Sequence, residues 1–307
     1  MDEEQALKQR LPYPYNQDLS MVLRRLDRRT PFSRQRLAND PVTAAYIVAG
    51  MRLIQRHLGP GAERVLADPD DENSVGRPLL SFLSQRAVAA EVANNPDPFP
   101  RLGSTSTLRC SWKSHSDFIA DLLSFGLWSL HRPAYYDRRI GPETERLING
   151  PDFVEAAHRL CYYDLTALIG GPTFRLELVA AAAAEGDDVV RGALAENRRV
   201  AVEPWKQLYE ETLLSRGLKL RPGIELNDFV EMLASLASGF ALRSIDAPES
   251  PVIDHDQQRS LFGSAALALL LGCMERTEDP QGITIEQAVK EMIYGSQGEN
   301  RNDLAAS

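Results

Sequence analysis

Along this chain of 307 residues, apolar side chains recur at spacings of three and four, and no long alternation of Val, Ile and Thr interrupts them. Residues three or four apart share a helix face, whereas a strand face repeats every second residue. The sequence therefore predicts an all-α protein. Pro41 opens the run VTAAYIVAGMRLIQRHL with proline in the first turn, and Gly59-Pro60-Gly61 closes it. The stretch ADPDDENSVGRP reads as a loop, SQRAVAAEVA as a short helix, NNPDPFPRLG as a proline-rich turn, and Ser104 restarts a helix. From Ser114, SHSDFIADLLSFGLWSL is amphipathic, with Phe118, Leu122, Phe125 and Trp128 on one face and Asp117 placed to close a capping box. Beyond Pro133 the pattern predicts helices over 152–169, 172–185, 187–217, 225–243 and 256–276, a short one at 284–294, and a frayed polar tail.

Composition narrows the function classes. With 43% hydrophobic and 25% charged residues the chain has the make-up of a globular protein. Its longest charge-free run, Leu261 to Met274, falls short of the roughly 20 residues a bilayer requires. MDEEQALKQR lacks the apolar stretch of a secretory signal, so a cytoplasmic protein is expected. Cys110, Cys161 and Cys273 are too few and too far apart for a disulfide framework or a four-cysteine zinc site, and no metal or cofactor is expected.

HExxH, GxSxG, Walker-type and GxGxxG patterns are absent, and the five histidines are scattered. His158, Cys161 and Tyr162 fall on one helix face, a pattern that reads as packing more readily than as catalysis. Asp254-His255-Asp256 reads as the N-cap of a helix rather than a metal cluster. The expectation is a protein that is not an enzyme.

The net charge of −9 is unevenly spread: residues 1–148 carry 20 basic and 18 acidic groups, so the acid excess lies in the second half. Residues 1–57 hold ten basic groups against six acidic ones, among them Arg24, Arg25, Arg28, Arg29, Arg34 and Arg36. Affinity for phosphate follows local charge within a screening length of about 8 Å, although a solvated basic helix face has the same composition. Two short helices joined by a turn, the second opening with STST, form the arrangement that places a helix N-terminus in a major groove. Small side chains there allow close backbone approach, hydroxyls donate to phosphates and base edges, and the positive end of the helix dipole attracts phosphate.

The run LGSTSTLRCSWKSHSDFIADLL resembles the signature of the TetR family of transcription regulators. Thr107-Leu108 match that family's Thr-Leu, Trp112 takes the core aromatic position, and Ser114 begins the linking helix; upstream, Arg86-Ala87-Val88-Ala89 is similar to its Arg-x-Ile-Ala. DFVEMLASLASGFALRSIDAP and the helix ending ALALLLGCMER are similar to the family's last two helices, which implies a homodimer held by a four-helix bundle. The resemblance implies a basic extension over 1–40, a helix-turn-helix DNA-binding domain over 41–131, and a helical ligand-binding and dimerisation domain over 132–307. It implies double-stranded operator DNA and a small-molecule effector as partners, and no membrane. Ser84, Gln85 and Arg86 would start the supporting helix, Thr105, Ser106 and Thr107 would face the groove, and Arg109, Ser111, Lys113 and His115 would hold phosphates. Leu108 and Trp112 read as core, and Cys110 as a small, partly buried side chain.

Departures from the family pattern are Arg109 for tyrosine, His115 for lysine, and longer connections at NNPDPFPR and at Leu58 to Pro78. These leave a second reading open, a helix-turn-helix that has become a partner-binding module. In the second half, His158, Cys161, Tyr162, Tyr163, Arg175, Trp205 and Tyr209 are polar or aromatic residues within apolar helices, which suits a ligand cavity and ordinary packing alike. Leu226, Phe229, Val230, Leu233, Leu236, Ala237 and Phe240, with Leu261, Ala265, Leu267, Ala268 and Leu271, mark the expected dimer helices.

Overall fold

The protein is described by a computed structural model over residues 3–28, 30–59, 81–128 and 136–294. The predicted loop ADPDDENSVGRP, Arg29 and the polar tail from 295 lie outside the described residues. Among the described residues the chain is mostly helical, with thirteen α-helices and only short strands. It divides into two compact units, one of residues 1–133 with 170–201, the other of 134–169 with 202–307.

The first unit contains α1 (Glu3–Arg10), α2 (Pro31–Ala38), α3 (Pro41–Leu58), α4 (Gln85–Glu91), α5 (Thr105–Ser111), α6 (His115–Leu127), α9 (Pro172–Ala183) and the start of α10 (Asp188–Arg216). Asp40 caps α3 by accepting from the Val42 N–H at 2.8 Å, and Pro41 fills the first turn, where no N–H is needed. From Thr43 to Gly50 every residue of α3 is buried, because α4, α6 and α9 all pack on it. A helix covered on several sides needs to be apolar around most of its circumference, and AAYIVAG is. Gly50 admits the close approach: a Cβ there would lie 2.9 Å from Leu122 and 3.2 Å from Phe118.

The N-terminal segment belongs to this core. Leu19, Leu23 and Leu26 are buried with Tyr46, Trp112 and Phe118. Loop backbone inside a core needs polar partners, and Asp121 supplies them. Its Oδ1 accepts from the Arg24 and Arg25 N–H groups at 2.8 and 3.0 Å, and its Oδ2 accepts from the Trp112 indole at 2.8 Å.

The second unit contains α7 (Gly141–Asn149), α8 (Phe153–Gly170), the remainder of α10, α11 (Leu226–Asp246), α12 (Leu261–Cys273) and α13 (Ile285–Tyr294). Its core gathers Ile140, Leu147, Ala156, Leu160, Tyr163 and Leu208. Arg216 closes the C-terminus of α7, its guanidinium donating to the Leu147 carbonyl at 3.0 Å and the Gly150 carbonyl at 2.6 Å, where a cation also meets the negative end of the helix dipole. Strands β1 (Leu218–Leu220) and β4 (Met274–Arg276) pair antiparallel, with Leu218 opposite Arg276. The second pair is β2 (Ile253–Asp254) with β3 (Arg259–Ser260).

Two sequence expectations are corrected here. The helix expected from 256 begins at Leu261, capped by the Ser260 hydroxyl, which accepts from the Gly263 N–H. Asp254 instead accepts from the Gln257 N–H within a hairpin turn in which Gln258 adopts φ 53°, so the acid orders a turn rather than a helix start. Of the expected dimer-helix residues, Phe229, Val230, Leu233 and Ala237 are already buried within the single chain. Among the described residues no single helix is long and apolar enough to cross a membrane.

Candidate nucleic-acid interface

The start of α5 is positioned from the centre of the first unit. The Tyr46 hydroxyl, carried by buried α3, donates to the Ser104 carbonyl and accepts from the Ser104 N–H, each at 2.9 Å. Ser104 then caps α5, its hydroxyl accepting from the Thr107 N–H at 3.1 Å and pairing with the Thr107 hydroxyl at 2.9 Å. The long connection between α4 and α5 is ordered by its own buried groups. Asn95 is buried, with its side-chain N–H₂ donating to the carbonyls of Ala45 at 3.0 Å and Pro100 at 3.1 Å. Arg101 donates to the Asn95 carbonyl at 2.8 Å, and Phe99 is buried beside it. A Cβ at Gly103 would lie 2.9 Å from Val92, so the chain passes tightly over α4 as it enters α5.

The result is a projecting tip. Thr105 and Ser106 are exposed, and Leu102 just before them is 89% exposed. Thr107 is half-buried, its hydroxyl engaged with Ser104. Arg109 and Gln85 come together: the Arg109 Nε donates to the Gln85 side-chain oxygen at 2.9 Å, so α4 holds the arginine out from α5. Ser84 caps α4 by accepting from the Ala87 N–H, while Arg86 and Lys113 are exposed. The nearby acid Glu91 is buried against Arg52 and Arg56. Burial pushes its carboxyl up, but hydrogen bonds from Arg56, Asn94 and Arg52 prevail and hold it below its ordinary range. On the connection into α5 the exposed Asp97 is paired with Arg101 at 3.1 Å.

Three expected roles are revised. Ser111 is buried, so its hydroxyl cannot reach a phosphate; it lies three residues from Leu108 and next to Trp112, on the face that packs. Cys110, expected to be partly buried, is exposed on the opposite face. His115 is half-buried with its ring beside Phe118, and its Nδ1 is buried without a hydrogen-bond partner. Burial lowers its pKa, outweighing Asp187, so it is a neutral ring rather than a phosphate anchor. Leu108 and Trp112 are core, as expected.

Further residues complete the arrangement; of these Arg28 was read from the sequence only as one of a run of arginines, and the others were missed. The Arg28 guanidinium donates to the Cys110 carbonyl at 2.9 Å, which sets a cation at the C-terminal end of α5. Ser116 in the first turn of α6 donates to Asp187, the residue before α10, whose other oxygen accepts from the Val189 and Val190 N–H groups. Tyr46 and Asp121 carry a visible signal, since each is a polar group inside an apolar stretch and such groups demand specific partners, whereas Asn95, within a polar turn, carries none.

In the second unit, His158, Cys161 and Tyr162 do share the α8 face, but they are used in packing. A Cβ on Gly263 would lie 2.7 Å from the buried His158 Nδ1. The Tyr162 hydroxyl meets His255 Nδ1 at 3.0 Å, and the Tyr163 hydroxyl donates to Gln258 at 3.2 Å. Tyr209 stands edge-on to Phe229 with centroids 5.2 Å apart, and Trp205 packs against the core. Burial raises the Cys161 thiol and the Tyr209 hydroxyl well above their ordinary values. Arg175 belongs to the first unit. None of these residues lines the shallow depression of about 270 Å³ formed by Phe153, Leu218, Leu270, Leu271, Met274, Glu275 and Arg276. Among the described residues no cluster of His, Cys, Asp and Glu has a metal-holding arrangement.

No known protein family, curated protein or solved structure matches this chain.

Proposed function

We propose that the protein is a TetR-like, cytoplasmic, homodimeric transcription regulator, reading double-stranded DNA with the N-terminal end of α5 and responding to a small-molecule effector. The observation that carries the reading is the exposed Thr105–Ser106 tip whose first residue, Ser104, has both backbone groups fixed by Tyr46. A groove reader needs an N-terminus that projects yet does not wander, and exposed Arg86, Arg109 and Lys113 around it suit flanking phosphates. In this reading Arg28, at the other end of α5, adds a phosphate contact. No catalytic role is assigned.

Dimerisation is proposed through the outer faces of α11 and α12. Met232 and Leu242 flank the exposed Ser235 and Gly239 on α11, and Leu261 and Leu271 flank Ser264 and Ala268 on α12. Small residues between apolar ones let two helix pairs approach closely. The effector is assigned to the ring cluster around His158, Tyr162, Trp205 and Tyr209, which is filled as it stands, so binding opens it and shifts the populations of two states.

An electrophoretic shift with genomic fragments, repeated across salt, tests the reading. Arg109→Ala weakens binding to specific and random DNA alike and reduces the salt slope by about one. Thr105→Ala and Ser106→Ala relax sequence preference by about 1–3 kcal/mol per lost base contact. Unchanged mobility at low salt removes the DNA reading. The partner-module reading is favoured by one observation, the exposed Leu102 on the long connection into α5, since an apolar side chain beside the tip suits a protein surface. Salt-independent binding to a protein that is lost on Leu102→Asp identifies that case.

A further inference from the structure

Helix α13 is capped and amphipathic, yet no residue of it is buried among the described residues. Thr284 and Gln287 cap it reciprocally: the Thr284 N–H donates to the Gln287 side-chain oxygen at 2.8 Å, and the Gln287 N–H donates to the Thr284 hydroxyl at 3.3 Å. Ile285, Ala288, Val289, Met292 and Ile293 fall on one face, yet none of the ten residues is buried, and Met292 is 75% and Ile293 62% exposed. A helix of ten residues is marginal in water, and in proteins the stability of such a segment comes from covering its apolar face. Lys- and Arg-rich polar faces mark helices that lie on membranes; here Glu286 borders the apolar face, and Glu291 and Lys290 lie further round on either side, so acids outnumber the one lysine, which disfavours a lipid surface.

The same unit carries an apolar depression of about 270 Å³, lined by Phe153, Leu218, Leu270, Leu271 and Met274. Leu271 in its wall is 81% exposed. The charge it presents is basic: Arg276 at its edge is exposed, whereas the buried Glu275 is met by Lys219 at 3.3 Å and by the Gly282 N–H at 3.0 Å. The strap from β4 to α13 is pinned by that Gly282 bond, by Thr277 N–H to the Gly217 carbonyl at 2.8 Å, and by Arg221 to Gln281 at 2.9 Å. With the strap so held, no residue of the chain's own α13 is among those lining the depression.

We infer that α13 of one copy seats its apolar face in the Phe153–Leu271–Met274 depression of a second copy, with Glu286 at the border of that face set against Arg276, and that the exchange is reciprocal. Two-fold exchange of a terminal element is a low-cost route to a closed dimer. It deepens the dimer part of the reading above and rests on it, because Leu271 belongs both to the depression and to the α12 outer face.

The test uses the full chain in a Cys110→Ser background, which removes the exposed cysteine. Met292→Cys and Leu271→Cys are placed on two differently tagged copies and treated with a short bismaleimide at low micromolar protein. A mixed-tag product in high yield supports the exchange. A product that forms only at high concentration, or cross-linking within single chains carrying both cysteines, overturns it. Met292→Glu/Ile293→Glu, at sites already exposed, raises the dimer dissociation constant at least tenfold in sedimentation equilibrium. Glu286→Arg weakens the dimer, and Arg276→Glu restores part of the loss. A dimer indifferent to these changes overturns the α13 contact while leaving the α11–α12 face standing; a monomer at every concentration removes both. Met292-dependent binding to phosphatidylcholine–phosphatidylglycerol vesicles, in place of dimer formation, also overturns it.

Discussion

Helices α3 and α12 are both apolar over most of their length, but their surroundings differ. In α3 a continuous run from Thr43 to Gly50 is buried, whereas in α12 the buried residues are Phe262, Gly263, Ala266 and Cys273, and Leu261 and Leu271 stand 47% and 81% exposed. Composition thus says how much surface a helix needs covered, not whether its own chain covers it. In α3 two polar groups are met from inside the unit, the Tyr46 hydroxyl by Ser104 and the Ala45 carbonyl by Asn95. On α12 an uncovered leucine stripe continues into the depression where a second chain is proposed to sit.

Deletion of side chains separates the two helices most strongly. Phe118→Ala, against α3, costs about 3–5 kcal/mol of unfolding free energy, whereas Leu271→Ala changes the unfolding of the isolated chain by less than about 0.5 kcal/mol. Denaturant titration well below the dimer dissociation constant measures both; a large loss at Leu271 would show that its own chain covers it after all. Next in size is the pH dependence of the α3 side. Burial pushes the Asp121 carboxyl up to about 7, against the opposing hydrogen bonds from Trp112, Arg25 and Arg24. A carboxyl raised above its unfolded value binds its proton more tightly in the folded state. Its contribution is therefore present below the unfolded pKa and falls as pH rises from about 4 to about 7, by up to about 1.4 kcal/mol per pH unit. Asp121→Asn removes that slope from a series of denaturation curves; an unchanged slope assigns it to other groups. The smallest effect belongs to the α11 face. A Cβ at Gly239 meets nothing within 4 Å, so Gly239→Ala stabilises the isolated chain by about 0.5–1 kcal/mol. The same change weakens the dimer if the faces pack closely there, and sedimentation separates the two consequences.

Much of the helical framework was legible because its signals are local. The Ser114–Asp117 capping box is present, with the Ser114 N–H and hydroxyl both donating to Asp117. Helices α4, α5 and α8 to α11 begin and end close to where caps, glycines and prolines place them. The N-terminal segment was not legible, since Leu19, Leu23 and Leu26 follow no helical period over its length and the backbone acceptor is Asp121, about a hundred positions along the chain. Helices α1, α2 and α7 went unanticipated for a related reason: each is short, and α1 and α2 have almost no apolar periodicity of their own. At the tip, exposure of Thr105 and Ser106 followed from the sequence, but the inward turn of Ser111 did not. Spacing alone contained that answer, because Leu108, Ser111 and Trp112 stand at i, i+3 and i+4 and the aromatic fixes their common face inward.

The two bonds from Tyr46 to Ser104 make the location of the tip a property inherited from the protein interior. A phenol hydroxyl that both gives to and takes from one residue tolerates little sliding, so any repacking that shifts α3 carries the start of α5 along. Substitutions among the aliphatic neighbours of Tyr46 therefore retune what the surface can reach while leaving every exposed side chain unchanged.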